Sequence, residues 1–279
     1  MLLVPTDHVT KEEASLDSTF TWINDPVLDE EAKVHPSSSS QDHCANIIGG
    51  KESVPHSRPF MALIEGDFIC GGTLIKPNWV LTAAHCNLGK NPTVTLGAHS
   101  LKKAEPSKQT LAVAKQIRHP CFDPETKEND LMLLQLNKAA KINNEVSPVK
   151  LGQSFDDLKA GTACLVTGWG VVANRQRKPA DALREVNVTI IDRGICNNKQ
   201  HYNFHPVVTK NMICAGSKKG GKDACTGDSG GPLICNGQQR GIVSFGKHLE
   251  CGNSHFPGVY TRLTKKFLVW IKKTIGSDL

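Results

Sequence analysis

No apolar run in the 279-residue sequence approaches the roughly 18–20 residues that a membrane-spanning helix needs, so no such span is expected. No two cysteines form a Cys-x-x-Cys pair. The ten cysteines are scattered singly, which argues against a zinc site, and no metal or cofactor is expected. No internal repeat of the solenoid type is present. The N-terminus has no basic leader: only Met1–Pro5 is apolar before Asp7 and His8, too short for a secretory signal. Aromatic residues are scarce at 5%, yet 39% hydrophobic content at this length suffices for two domains or one large β domain.

Ten cysteines in a chain of this size favour an oxidising compartment, in conflict with the missing signal. An alternative or misassigned N-terminus resolves that conflict better than a non-secreted form does. Charge also divides the chain. Residues 1–46 carry nine acidic side chains and two lysines, a net of −7, which leaves +13 on residues 47–279. The first segment, with its Ser37-Ser38-Ser39-Ser40 run, reads as a disordered extension.

From Ile47 onward, short apolar runs alternate with Gly, Pro and Asn, at 60–64, 68–75, 79–84, 93–97, 131–136, 163–168, 183–191, 241–245 and 258–263. Many short strands of this kind indicate an all-β sandwich or barrel. One helix is expected at the end. Thr264 caps it, Phe267, Ile271 and Ile275 repeat on one face, and Gly276 stops it.

Three stretches carry chemistry. "DACTGDSGGPLIC" (223–235) sets Asp228 and Ser229 among three glycines. This is a tight turn, or a nucleophile whose neighbouring N–H groups must approach a substrate oxygen, which glycine permits. "WVLTAAHC" (79–86) places His85 after an apolar strand, and "ENDLMLLQL" (128–136) places Asp130 at the head of another. Each has a plain structural reading alone. Together they supply the parts of acyl transfer: serine is a poor nucleophile, histidine takes its proton, and a buried aspartate orients the imidazole. The chain order His85, Asp130, Ser229 is one of three that recur for this geometry.

With "IIGG" (47–50), "TGWG" (167–170), "GDSGGP" (227–232) and "PGVYTRL" (257–263), the sequence resembles the chymotrypsin-fold serine proteases over essentially all of 47–279. "PHSRPFM" (55–61), "LGAHS" (96–100), "PCFDP" (120–124) and "HYNFHPV" (201–207) are similar to granzymes of the A type, with the K type a near relative. The resemblance implies two six-stranded antiparallel β-barrels, about 47–150 and 151–279, with a C-terminal α-helix. It implies His85 as general base, Asp130 as its partner, Ser229 as nucleophile, and the N–H groups of Gly227 and Ser229 as oxyanion hole. Asp228 would pair with the α-ammonium of Ile47 once residues 1–46 are removed, so the longer chain would be a zymogen. Asn46 stands where most relatives have Arg or Lys. Removal of an Ala45-Asn46 dipeptide after cleavage at Cys44, as in granzymes, is therefore the expected activation.

The resemblance also pairs Cys70–Cys86, Cys164–Cys235, Cys196–Cys214 and Cys225–Cys251, leaving Cys121 to bridge a disulfide-linked homodimer of the A type; a monomer of the K type is the alternative. Asp223 would floor the primary pocket, with Ser244, Gly246 and Gly258 on its walls, implying cleavage of proteins after Arg or Lys. A role in killer-cell cytotoxic granules follows from the same likeness. A non-catalytic binding protein is the other alternative, and a phosphonate probe at Ser229 separates it from an enzyme. Asn187-Val188-Thr189 is a sequon, used or unused. The +13 charge is either ordinary solvated lysine or attraction to a polyanionic proteoglycan. Candidates are Lys102, Lys103, Lys218, Lys219, Lys222, Lys265, Lys266, Lys272 and Lys273. No base-specific nucleic-acid recognition and no membrane partner are expected.

Overall fold

The computed structural model describes residues 47–152, 155–174, 176, 178–247 and 249–276. The expected extension, with Cys44 and the Ala45-Asn46 dipeptide, lies outside the described residues. The first half builds β1 (Lys51–Glu52), β2 (Met61–Glu65), β3 (Ile69–Lys76), β4 (Trp79–Thr82), β5 (Thr93–Leu96), β6 (Gln109–Arg118) and β7 (Met132–Leu136). The second half adds β8 (Ala163–Gly168), β9 (Arg184–Ile191), α1 (Arg193–Asn197), β10 (Met212–Gly216), β11 (Pro232–Cys235), β12 (Gln238–Phe245), β13 (Gly258–Arg262) and α2 (Lys265–Ile275).

Strands β2-β3-β4-β7-β6-β5 close into one antiparallel barrel. Strands β9-β10-β13-β12-β11-β8 form a second six-stranded ring, closed by the β8–β9 pairing. Closure leaves no open sheet edge. β1 crosses to the outside of the second ring, pairing Lys51 with Glu185 on β9. Two branched-aliphatic cores result: Ile64, Leu74, Leu81 and Leu133 in the first, Val166, Val188, Ile213 and Leu233 in the second.

α2 starts at Thr264, whose Oγ1 accepts from the N–H of Phe267, and ends at Gly276 in the left-handed conformation (φ 69°). Phe267, Leu268 and Ile271 join the first barrel's cluster, so the C-terminal helix packs onto the first barrel. Burying each such side chain contributes about 1.5–3 kcal/mol.

The strands missed at the sequence level have physical reasons. β6 is mostly exposed, with only Leu111 fully buried, so it never forms an apolar run. β10 and β11 are short and interrupted by cysteine, glycine and proline. α1 spans five residues, too few for a helical period, and is held by the Asp192 side chain accepting from Gly194 N–H.

Among the described residues four disulfides form, Cys70–Cys86, Cys164–Cys235, Cys196–Cys214 and Cys225–Cys251, the same cysteines that the resemblance pairs. The first ties β3 to the loop carrying His85. The last ties the Ser229 segment to the opposite wall of a cavity.

Candidate active site

His85 sits in the loop after β4, between Ala84 and disulfide-bonded Cys86. Asp130 lies two residues before the start of β7 and is fully buried. Its Oδ1 accepts from the His85 backbone N–H at 2.8 Å, and its Oδ2 lies 2.7 Å from His85 Nδ1. Oδ2 also accepts from the Ser244 hydroxyl at 2.5 Å, and the Asp130 carbonyl accepts from Thr261 Oγ1 at 2.9 Å. A carboxylate can only accept, so the proton of a neutral imidazole belongs on Nδ1 and Nε2 is left as the base. The His85 side chain is 21% exposed, open to a reacting group.

Ser229 comes from the second ring but is seated against the first. Its carbonyl accepts from Gly71 N–H on β3 at 2.8 Å, and the Gly71 carbonyl accepts from Thr82 Oγ1 at 2.8 Å, three residues before His85. The glycines around it have specific reasons. A side chain on Gly230 would collide with the Thr82 hydroxyl and the Gly71 carbonyl, and Gly227 has φ +97°, closed to most residues. The Asp228 side chain turns inward instead, accepting from Gly170 N–H at 2.8 Å and Cys225 N–H at 2.9 Å. This leaves the N–H groups of Gly227 and Ser229 without an intramolecular acceptor among the described residues. Two free donors beside one hydroxyl suit a developing oxyanion.

Beside Ser229 opens a cavity of about 160 Å³, lined also by Asp223, Ser244, Gly246, Gly258 and Tyr260. Asp223 is buried at its base. Its Oδ2 accepts from Gly252 N–H at 3.1 Å, while Oδ1 has no hydrogen-bond partner among the described residues. Burial, reinforced by the charge of Asp228, pushes its carboxyl up to about 7. Gly258 is required here, because a Cβ would stand 2.6 Å from Asp223 Oδ1. A Cβ on Gly246 would meet nothing within 4 Å, so that wall is low.

Asp228 is completely buried, and burial pushes it up to about 6. Among the described residues no ion pair reaches it. The Ile47 side chain is buried in the second ring's core, and the Ile48 carbonyl accepts from Asp223 N–H at 3.2 Å. Beyond it, Glu185 gathers Arg58 (3.0 Å), Lys51 (3.7 Å) and the Ser53 hydroxyl (3.1 Å), strapping the segment to β9.

Glu128 has no sequence signal, since a glutamate before a turn reads as a solvated charge. It accepts from Thr209 Oγ1 at 2.8 Å and from the Asn211 side-chain amide, fastening the Asp130 loop to the second ring. Cys121 is exposed and, among the described residues, unpaired. Its carbonyl accepts from the Asn129 amide, next to Asp130. Asn187 is exposed on β9. All nine candidate lysines are exposed, on three separate segments. No cluster of metal-ligating side chains occurs among the described residues, and no described helix is long and apolar enough to cross a membrane.

Known proteins match this arrangement. The trypsin family model matches residues 47–271. Granzyme A of Bos taurus is 54% identical over 236 residues, covering 85% of this chain and 90% of the relative. Kallikrein-8 of Rattus norvegicus is 40% identical, with 83% of this chain and 87% of the relative covered. The solved structure of neuropsin, a serine protease expressed in the limbic system of mouse brain, superimposes with a TM-score of 0.73 at 39% identity. It covers 81% of this chain and 98% of its own. The chain belongs to the trypsin family of serine endopeptidases.

Proposed function

We propose that this protein cleaves polypeptides after Arg or Lys, with His85, Asp130 and Ser229 as its catalytic residues. His85 Nε2 removes the Ser229 hydroxyl proton as the oxygen attacks the scissile carbonyl, then delivers it to the leaving amine. Asp130 stabilises the imidazolium, and the N–H groups of Gly227 and Ser229 hold the oxyanion. The observation that carries the specificity is the unpartnered Oδ1 of Asp223, buried at the base of the cavity beside Ser229. A buried carboxylate with a raised pKa takes a guanidinium or ammonium in preference to an apolar group. Released from residues 1–46, the protein should cleave peptides after Arg and Lys. Equal cleavage after Phe or Asp overturns the assignment, and failure of Ser229 to take up a phosphonate probe favours a binding protein.

The remaining roles belong to the same reading. Asp228 is a buried acid awaiting a cation, and the α-ammonium of Ile47 supplies one after cleavage, making the longer chain a zymogen. Exposed Cys121 joins two copies, so the mature protein should run at twice its reduced mass on a non-reducing gel and Cys121→Ser should not. A monomer there favours the K-type alternative. The exposed lysines attract a polyanionic proteoglycan, as in killer-cell cytotoxic granules, and heparin should release the protein only well above physiological salt. Asn187 carries a glycan, detectable as a mass lost to a glycosidase. The likeness to granzyme A supports these roles and a secretory route.

A further inference from the structure

The largest cavity described on the molecule shares no lining residue with the substrate cavity. It measures about 970 Å³, and the β3–β4 turn, the connection 148–152 between the rings and α2 meet around it, joined by Phe155 and Gln238. Its floor is apolar, built from Leu151, Phe155, Leu268 and Val269. Val269 is 57% exposed on a helix whose other aliphatic side chains are buried, Leu268 and Ile271, or partly buried, Ile275. Its rim is basic, with Lys76, Lys150, Lys265 and Lys272, and no acidic side chain is among its described lining residues. Its volume lies at the upper end of the range for ligand pockets, about 300–1,000 Å³.

We propose that this groove is a docking site for an acidic peptide segment with interspersed apolar side chains, contributed by a protein substrate. Charge complementarity selects the occupant. Three of these cations, Lys76, Lys150 and Lys265, with no anion among the described lining residues, are complementary to several carboxylates at once. The apolar floor separates a peptide from a sulfated glycan, which binds exposed cations but has no hydrocarbon to bury over Val269, Phe155 and Leu151. Docking there, away from Ser229, raises the local concentration of cleavable bonds by tethering the substrate at a second point. The inference does not rest on the Arg/Lys assignment, because it concerns other residues and a different ligand.

The test uses the chain with Ser229→Ala and a fluorescent peptide of alternating Glu and Leu, followed by anisotropy. Binding is expected, and about tenfold weaker with Lys150→Glu and Lys265→Glu together. Val269→Asn, at an exposed site that leaves the fold intact, should weaken the peptide severalfold and leave heparin binding unchanged. In the Ser229-containing protein, the same changes should leave hydrolysis of a small chromogenic substrate unaltered. No binding of the peptide overturns the proposal. So does equal binding of an oligoglutamate lacking leucine, which would make the surface a charge-only polyanion site. So does indifference of the peptide to Val269→Asn.

Discussion

Three aspartates are buried around Ser229, and they are satisfied differently. Asp130, at the junction with the first barrel, has partners within the chain for both carboxylate oxygens: the His85 N–H and imidazole and the Ser244 hydroxyl. Asp223 and Asp228, both from the second ring, have only backbone N–H donors, and burial raises both, to about 7 and about 6. An acid whose neutral form burial favours is poised for a cation from outside. The first region is therefore complete as it stands. On the proposed reading the second is completed by two events, arrival of a basic side chain at Asp223 and pairing of Asp228 with the α-ammonium released at Ile47.

The largest expected effect is at Asp223. Asp223→Ser should lower kcat/KM for an Arg substrate about 10⁴-fold, the scale on which a site built for a polar partner rejects its absence. Hydrolysis after Arg at undiminished rate would remove the distinction between the two regions. The pH dependence sharpens it further. Binding of benzamidinium requires the ionised carboxylate, so affinity should rise as pH increases toward about 7 and level off above it. Calorimetry at several pH values measures this, and a flat profile would contradict it.

Asp228 comes next. Asp228→Asn should lower activity of the processed enzyme by about 10²–10³-fold, as for loss of an oxyanion donor, since its carboxylate positions the Gly227–Ser229 turn. In the unprocessed chain the sign of the pH effect is fixed. Its folded pKa, about 6, lies above the ordinary value of 3.8, so its contribution to stability is full below 3.8 and is lost as pH rises through about 6. Thermal unfolding between pH 4 and 7 should show that loss, and Asp228→Asn should remove it.

Much of this was legible in the sequence because the chemistry is local. Asp228 and Ser229 are adjacent, His85 and Asp130 each begin or end an apolar strand, and α2 carries its own cap and stop at Thr264 and Gly276. The roles of Asp223 and Asp228 came from resemblance alone. Nothing in the residue pattern says that one aspartate of "DACTGD" lines a cavity and the other faces Gly170. Contacts between the rings were invisible for the same reason: Gly71 to Ser229, Thr261 to Asp130 and Glu128 to Thr209 join residues 81 to 158 positions apart. β6 was missed because an exposed strand lacks the apolar run that marks a buried one.

Ser244→Ala tests the complete region by a smaller change. It removes the hydroxyl donor from a fully buried carboxylate oxygen that keeps its imidazole partner. Losing one hydrogen bond to a carboxylate costs about 1.5–3 kcal/mol, so kcat should fall about tenfold or more. KM for an Arg substrate should change little, because Asp223 is untouched. A fall in KM-dependent binding instead would mean that Ser244 serves the cavity wall rather than Asp130.

The smallest effect is expected at Glu128, which touches neither substrate nor His85 and acts as a positioning residue. It holds the loop two residues before Asp130 against Thr209 and Asn211 of the second ring, while the Asn211 carbonyl accepts from Arg262 N–H at 2.8 Å. Glu128→Ala strands a hydroxyl and an amide and frees one anchor of the loop. Asp130 remains held by Ser244, Thr261 and His85, so kcat should fall only a fewfold, with KM unchanged. Glu128→Gln keeps one acceptor and the side-chain length, and should restore most of that loss. A purely structural role predicts lower thermal stability with kcat intact. A kcat deficit rescued by glutamine, at equal KM, would show that Asp130 is oriented from both barrels.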